Sequence, residues 1–284
     1  MALVTLREVL KNGKERGAVG SFSTYDQFTA QGVIEGAETL GLPVIAMIGA
    51  PVLDRPGNEE VGRMVVKLAE QAKVPVVVLL DHAKTFESCI KAIRLGFSAV
   101  MIDGSHLSFD ENIQMTKKVM AVAKAVGVSV EGELGALAGV EDGAAAVSAK
   151  LTNPQDVPRF LEATGVDALA ISIGNAHGLY KGTPKLDFEI LAQSLAVSDT
   201  PLVLHGGTGI EPSQFAKAIH LGIRKINIGT EVKKAFMDTF SEMHAKNQEA
   251  YDLIGVPQAC KQAVKKVAEA NLRFFNDGWK SLIE

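Results

Sequence analysis

The chain has 284 residues, 47% of them hydrophobic and 22% charged, and a formal net charge of −4. This is the composition of a globular protein with a sizeable core. The mild acidity excludes the basic face of a nucleic-acid binder, and no apolar run approaches the roughly 20 residues that span a bilayer.

The opening segment, MALVTLREVLKNGKERG, lacks the apolar centre of a secretion signal. Two cysteines, Cys89 and Cys260, give neither a disulfide framework nor a metal knuckle, so both are expected as buried thiols and the cytoplasm as the location. From there, short β-branched runs alternate with amphipathic stretches: 18–22, 42–48, 74–80, 97–102, 128–134, 166–173, 201–204 and 223–228. Near-continuous apolar strands separated by helices signal a parallel sheet buried on both faces. Eight such units in roughly 230 residues suit a (β/α)8 TIM barrel, an α/β fold, better than an open doubly wound sheet. Residues 1–284 are expected to form a single domain. Its part from about 231 to 284 is a helical C-terminal extension that closes the barrel or builds an oligomer contact.

The intervening helices carry their own punctuation. Gly41 is placed to end the first, Thr85 to cap the one after the third strand, and Asn153 with Pro154 to open the one before the sixth. The segment 138–150 is small, polar and rich in Gly and Ala, and is expected as a mobile loop on the catalytic rim.

Three of the six histidines follow a strand-like run: His82, His177 and His205. Strand carboxyl ends are where such barrels assemble their sites, and three imidazoles on one rim suit zinc with a coordination position left for substrate. Asp81, beside His82, is placed to move a proton on bound substrate; alone, the pair would equally fit a capping aspartate and a core histidine. Asp103 and Glu133 end the fourth and fifth strands. Carboxylates in apolar strands are costly unless paired or metal-bound, so they orient the histidines, serve as alternative ligands or serve stability alone. HGGTGI (205–210) and INIGTE (226–231) each lead from a strand into a helix, the usual phosphate cradle of this fold.

These residues resemble the class II, zinc-dependent fructose-/tagatose-bisphosphate aldolases. The likeness rests on LDHAKTFESCIKAIRLGFSAVMIDGSHLSFDENIQMTKKV, VEGELGALAGVEDG, TGVDALAISIGNAHGLYKGTPKLDFE, PLVLHGGTGI and KINIGTE, in that order along nearly the whole chain. The resemblance implies zinc held by His82, His177 and His205, with Asp81 as acid/base on the C4 hydroxyl of a ketose 1-phosphate. It implies Glu141 at the C3 proton, and the C1 phosphate of dihydroxyacetone phosphate gripped by Gly178, Gly206, Gly207, Thr208, Asn227, Ile228, Gly229 and Thr230, with Lys181 nearby. A monovalent cation (Na+ or K+) near the phosphate and a homodimer or homotetramer are further family features.

The chain departs from the family pattern where the rest of the sugar is read. Ser23 stands where an asparagine-containing segment is typical, and IGAPVLDRPG replaces a more polar stretch after the second strand. Ile254, in YDLIG, stands where the family supplies an arginine to the distal phosphate. Arg55, Lys261 or Arg273 would have to substitute, or the aldehyde half differs, as in 6-deoxy-6-sulfofructose 1-phosphate. A non-catalytic subunit that merely keeps the barrel is the alternative of another class; a phosphate-gripping isomerase gives no reason for three rim histidines.

Overall fold

The computed structural model describes residues 2–11, 17–137, 139, 150–178, 182, 184–246, 248 and 251–283. In chain order the elements are α1 (Leu6–Leu10), β1 (Val19–Ser23), α2 (Gln27–Leu40), β2 (Val44–Gly49), α3 (Ala50–Leu53), α4 (Glu59–Gln71), β3 (Val76–Ala83), α5 (Phe86–Arg94), β4 (Ala99–Ile102), α6 (Phe109–Ala125), β5 (Ser129–Leu134), α7 (Asp156–Thr164), β6 (Ala168–Ile171), α8 (Phe188–Ala196), β7 (Leu202–Leu204), α9 (Pro212–Leu221), β8 (Ile223–Ile228), α10 (Thr230–Lys246) and α11 (Gly255–Asn276), with a final 3-10 turn over Gly278–Leu282. The strands are parallel and close into an eight-stranded barrel in sequence order, β8 returning to β1. This is the expected (β/α)8 fold with a helical C-terminal extension. None of the described helices is long and apolar enough to cross a membrane.

Successive residues of a strand point to opposite faces, so each strand contributes one set to the barrel interior and another to the helices. The inner set includes Ile45, Met47, Val77, Leu79, Ala99, Met101, Ala168, Ala170 and Val203. The outer set packs with the helices in a second cluster that contains Ala46, Ile48, Val78, Leu80, Val100, Val130 and Leu169. Helix α1 plugs the amino-terminal end with Leu6, Val9 and Leu10. It is held there by Val4 N–H donating to Val76 O at 2.9 Å and by an Arg7–Asp167 ion pair at 3.1 Å.

The hydrophobic runs begin one or two residues ahead of every strand but β8, overshoot β6 at its end as well, and stop short of β3, which continues to Ala83. Val166 and Ile173 remain buried outside the ladder, because burial continues past the last paired residue. Gly41 does end α2, with φ +66°, and the Thr85 side chain caps α5. The start of α7 differs from expectation. Asn153 Oδ1 accepts from Gln155 N–H, and Asp156 N–H bonds back to Asn153 O, so Asn153–Pro154 form a turn and the helix begins at Asp156.

The extension closes the outer layer: α11 packs against α2, α10 and β1. Gly32 and Gly36 of α2 permit this. A Cβ on Gly32 would come within 2.8 Å of Lys261 O, and one on Gly36 within 3.0 Å of the Ala268 Cβ and Lys265 O.

Candidate active site

The interior columns of the barrel end in polar groups at the carboxyl rim. Two residues beyond Leu79 is Asp81, beyond Met101 is Asp103, beyond Glu131 is Glu133, beyond Val203 is His205, and beyond Lys225 is Asn227. All five polar groups are buried. His82 has the wrong parity for this set. The β3–β4 register shifts between Leu80 and Ala83, and His82 adopts φ +50°, a left-handed conformation that costs a non-glycine residue energy. That kink allows both Asp81 and His82 to serve the same site.

His205 follows β7 directly and is fully buried. His177 arrives on the loop after β6. Asn175 shapes that loop by accepting from Ile173 N–H and donating Nδ2–H to His205 O at 3.0 Å. Gly206, at φ +62°, lets the next loop press against it, since a Cβ there would lie 2.0 Å from Ala176 O.

The three imidazoles converge. Ring centroids are 4.8 Å apart for His82 and His177, 4.7 Å for His82 and His205, and 6.0 Å for His177 and His205. One ligand nitrogen from each lies within 4.8 Å of the others. His82 Nε2 and His205 Nδ1 face one another at 2.8 Å, an approach that requires a proton or a cation between two nitrogen lone pairs. Burial brings the His205 pKa down to about 3, with the Glu131 hydrogen bond opposing it, so the ring is neutral at ordinary pH. Neutral imidazoles backed by carboxylates are the donor set that zinc takes. The residues fit that metal.

Behind His82, its Nδ1 faces Asp103 Oδ2 at 3.3 Å and Glu133 Oε2 at 3.5 Å. Burial pushes Asp103 up, but His82 and the Ser105 hydrogen bonds outweigh it and hold the carboxyl well below its usual range. Glu133 goes the other way: burial, then the charge of Asp103, raises it well above its usual value. His82, Asp103 and Glu133 also form a possible metal-binding group of their own.

Asp81 is 2% exposed, and Asn227 Nδ2 donates to its Oδ1 at 3.3 Å. Loops seven and eight are tied together. Gly207 N–H donates to Asn227 O at 3.0 Å, and Glu231 N–H to Thr208 Oγ1 at 3.2 Å, where α10 begins at Thr230. Gly229 O accepts from Lys233 N–H in the first turn of α10. Ile228 is buried in the outer core, so only its backbone faces the loops. Gly178 closes the His177 loop with φ +86°. Glu141 and Lys181 lie outside the described residues, as does the 138–150 segment apart from Gly139 and Lys150. The backbone of Lys150 pairs with that of Ala136 just beyond β5.

Of the three cations that the sequence offers for a distal anion, Lys261 is ion-paired with Glu35 at 2.8 Å between α11 and α2. Arg273 occupies the last turn of α11, which ends against Gly17 and Ala18 at the amino-terminal end of the barrel. Arg55 alone of the three follows a strand's carboxyl end, in the turn after α3. Ile254 is 80% exposed.

Two interior residues escaped the sequence reading. Glu131 and Lys225 are fully buried, Lys225 Nζ lies 2.9 Å from Glu131 Oε2, and His205 Nε2 is 2.8 Å from Glu131 Oε1. The alternation shared by Glu131 with Glu133, and by Lys225 with Asn227, was the available signal.

The profile of the class-II fructose-bisphosphate aldolase family matches residues 4–278. A fructose-bisphosphate aldolase of Thermus caldophilus is 40% identical over 96% of this chain and 98% of its own. A 6-phospho-5-dehydro-2-deoxy-D-gluconate aldolase of Bacillus licheniformis is 38% identical over 99% and 98%, and a sulfofructosephosphate aldolase of Alkalicoccus urumqiensis 36% over 97% of each. The crystal structure of the YdjI aldolase from Escherichia coli K12 superposes with a TM-score of 0.84 at 32% identity, over 97% of this chain and 98% of that one.

Proposed function

Because the chain belongs to the class-II fructose-bisphosphate aldolase family, we propose that it is a zinc-dependent aldolase acting as one unit over residues 1–284. It cleaves a ketose 1-phosphate reversibly to dihydroxyacetone phosphate and an aldehyde. The enzyme class, a carbon–carbon lyase of the class II aldolase type, is common to the family and to the relatives named above. The observation that carries the metal reading is the convergence of His82, His177 and His205 beside the buried carboxylate of Asp81.

His82, His177 and His205 would hold the zinc, with Asp103 and Glu133 behind His82. When bound, zinc supplies Lewis-acid polarisation of the substrate carbonyl. Asp81 takes the proton of the C4 hydroxyl as the C4–O bond becomes a carbonyl and the C3–C4 bond breaks, its electron pair passing toward C2. Asn227, donating to Asp81 Oδ1, keeps the carboxylate aimed during that transfer. Glu141 or a water returns a proton to C3. The joined loops 206–208 and 227–230, with Gly178, hold the C1 phosphate through backbone N–H groups and the start of α10.

His82→Ala tests this reading. Loss of both zinc and dihydroxyacetone phosphate release is expected; a native chain that takes up no zinc would favour the non-catalytic subunit instead.

A second reading concerns the far end of the sugar. Ile254 removes the bidentate anion recognition that an arginine there would supply; Lys261 and Arg273 lie elsewhere, so Arg55 alone is left beyond a strand's carboxyl end to replace it. This supports a substrate changed at C6, with 6-deoxy-6-sulfofructose 1-phosphate the leading alternative to fructose or tagatose 1,6-bisphosphate. The relatives, spread over three substrate names between 36% and 40% identity, do not choose among them. Turnover of the three sugars side by side decides it, and efficient cleavage of fructose 1,6-bisphosphate would sink the altered-substrate reading.

A further inference from the structure

We propose that the buried Lys225–Glu131 ion pair is a positioning device that fixes His205 with its Nε2–H toward Glu131, so that Nδ1 is the nitrogen offered to zinc. This inference rests on the metal reading above and adds two residues, inside the barrel and below the site, that no other part of that reading uses.

The geometry is continuous. His205 Nε2 lies 2.8 Å from Glu131 Oε1; Lys225 Nζ lies 3.1 Å from the same oxygen and 2.9 Å from Oε2. On the other side of the same ring, Nδ1 faces His82 Nε2 at 2.8 Å. One edge of His205 therefore looks down to a carboxylate and the other up to the convergent histidines. A carboxylate accepts hydrogen bonds and cannot donate them. Beneath His205 it favours the tautomer protonated at Nε2 and leaves the lone pair on Nδ1.

The surroundings explain why two charges are needed rather than one. Glu131 and Lys225 are 0% exposed, in an interior lined by Met47, Leu79, Met101 and Val203. A lone carboxylate there would lose its hydration with nothing in return. Across β6, which pairs with Glu131 through Ala168, the interior side chains are the small Ala168 and Ala170, leaving room for the glutamate of β5 and the lysine of β8 to meet. An apolar pair of similar volume would usually be at least as stable as a buried ion pair, so core stability does not account for these residues. The hydrogen bond to His205 does. His82 offers a contrast, since its Nδ1 is shared at 3.3 and 3.5 Å between two carboxylates.

The test is the neutral double variant Glu131→Gln/Lys225→Met, compared with wild type and with Lys225→Arg. Glutamine presents both an acceptor and a donor at the same place, so the tautomer is no longer selected. Two quantities are read on the purified chain: zinc affinity by chelator competition, and the His205 tautomer in the metal-free protein by 15N NMR. A folded double variant with about ten-fold weaker zinc binding or more and mixed His205 tautomers is expected, with Lys225→Arg, which keeps the carboxylate and its cation, retaining wild-type values of both. Wild-type zinc affinity together with an unchanged Nε2–H tautomer in the double variant would overturn the proposal. If the double variant does not fold, Glu131→Gln alone is judged by the same two readings. A wild-type chain that holds no zinc would instead defeat the underlying metal reading.

Discussion

At the scale of single residues, Asp81 and His82 divide the labour of one short segment. The strand alternation delivers Asp81 to the rim, and the left-handed kink at His82 turns a side chain of the opposite parity to the same site. Asp81→Asn keeps the shape and the Asn227 contact but removes the base. We expect dihydroxyacetone phosphate release to fall by about 10²- to 10⁴-fold with zinc content unchanged; loss of zinc along with activity would instead make Asp81 part of the metal site. The thiols are inert by contrast. Burial pushes Cys89 up to about 12, and Cys260 is raised by the same cause. A thiol reagent near neutral pH is expected to label neither in the folded chain and both after denaturation. Prompt labelling of the native protein would contradict their burial. The rim histidines, Asp81 and the buried cysteines were legible because each residue type is informative where it stands. Glu131 and Lys225 were not, because their meaning depends on a partner 94 positions away in sequence.

At the scale of elements, the strands were the most readable feature and the seams between elements the least. Apolar runs mark β2, β3, β4, β6 and β7, since a parallel strand buried on both faces shows little polar side, while β5 (SVEGEL) and β8 (IRKINI) carry interior charges among their apolar residues. The seam of α11 on α2 was written more quietly, in the spacing of Gly32 and Gly36. Gly36→Val is expected to push α11 outward and cost about 1–3 kcal/mol by overpacking, read as a lower denaturant midpoint; an unchanged midpoint would mean that this seam has slack. The loop seam at Gly206 ties stability to function. A side chain there meets Ala176 O and must accept a positive φ. Gly206→Ala is therefore expected to lose about 1–3 kcal/mol and to weaken zinc binding by displacing the loop that bears His177. The sequence suggests a phosphate contact for this glycine, and the structure shows it packed between two histidine-bearing loops.

At the scale of the whole molecule, eight βα units and their order were readable because the repeat of strand and helix is the fold itself. The plug formed by α1 was not: LREVL is too short to signal its destination, which is decided by the apolar opening that it fills. Tyr251, Leu253 and Ile254 stand 79%, 85% and 80% exposed, with Met237 and Phe240 on α10 also open. A homodimer or homotetramer, the assembly expected from the sequence, would cover such groups only if they form one contiguous patch. Light scattering should return a multiple of 30.1 kDa, and a monomer at working concentration would contradict it.

The central claim is zinc-dependent release of dihydroxyacetone phosphate from a ketose 1-phosphate. It is tested most directly by assaying that product from the chelator-stripped and the zinc-restored chain, using fructose 1,6-bisphosphate, tagatose 1,6-bisphosphate and 6-deoxy-6-sulfofructose 1-phosphate. Release from at least one of these sugars is expected, abolished by stripping and recovered with zinc. Release that persists in the metal-free chain, or none from any of the three by a chain that demonstrably holds zinc, would contradict it.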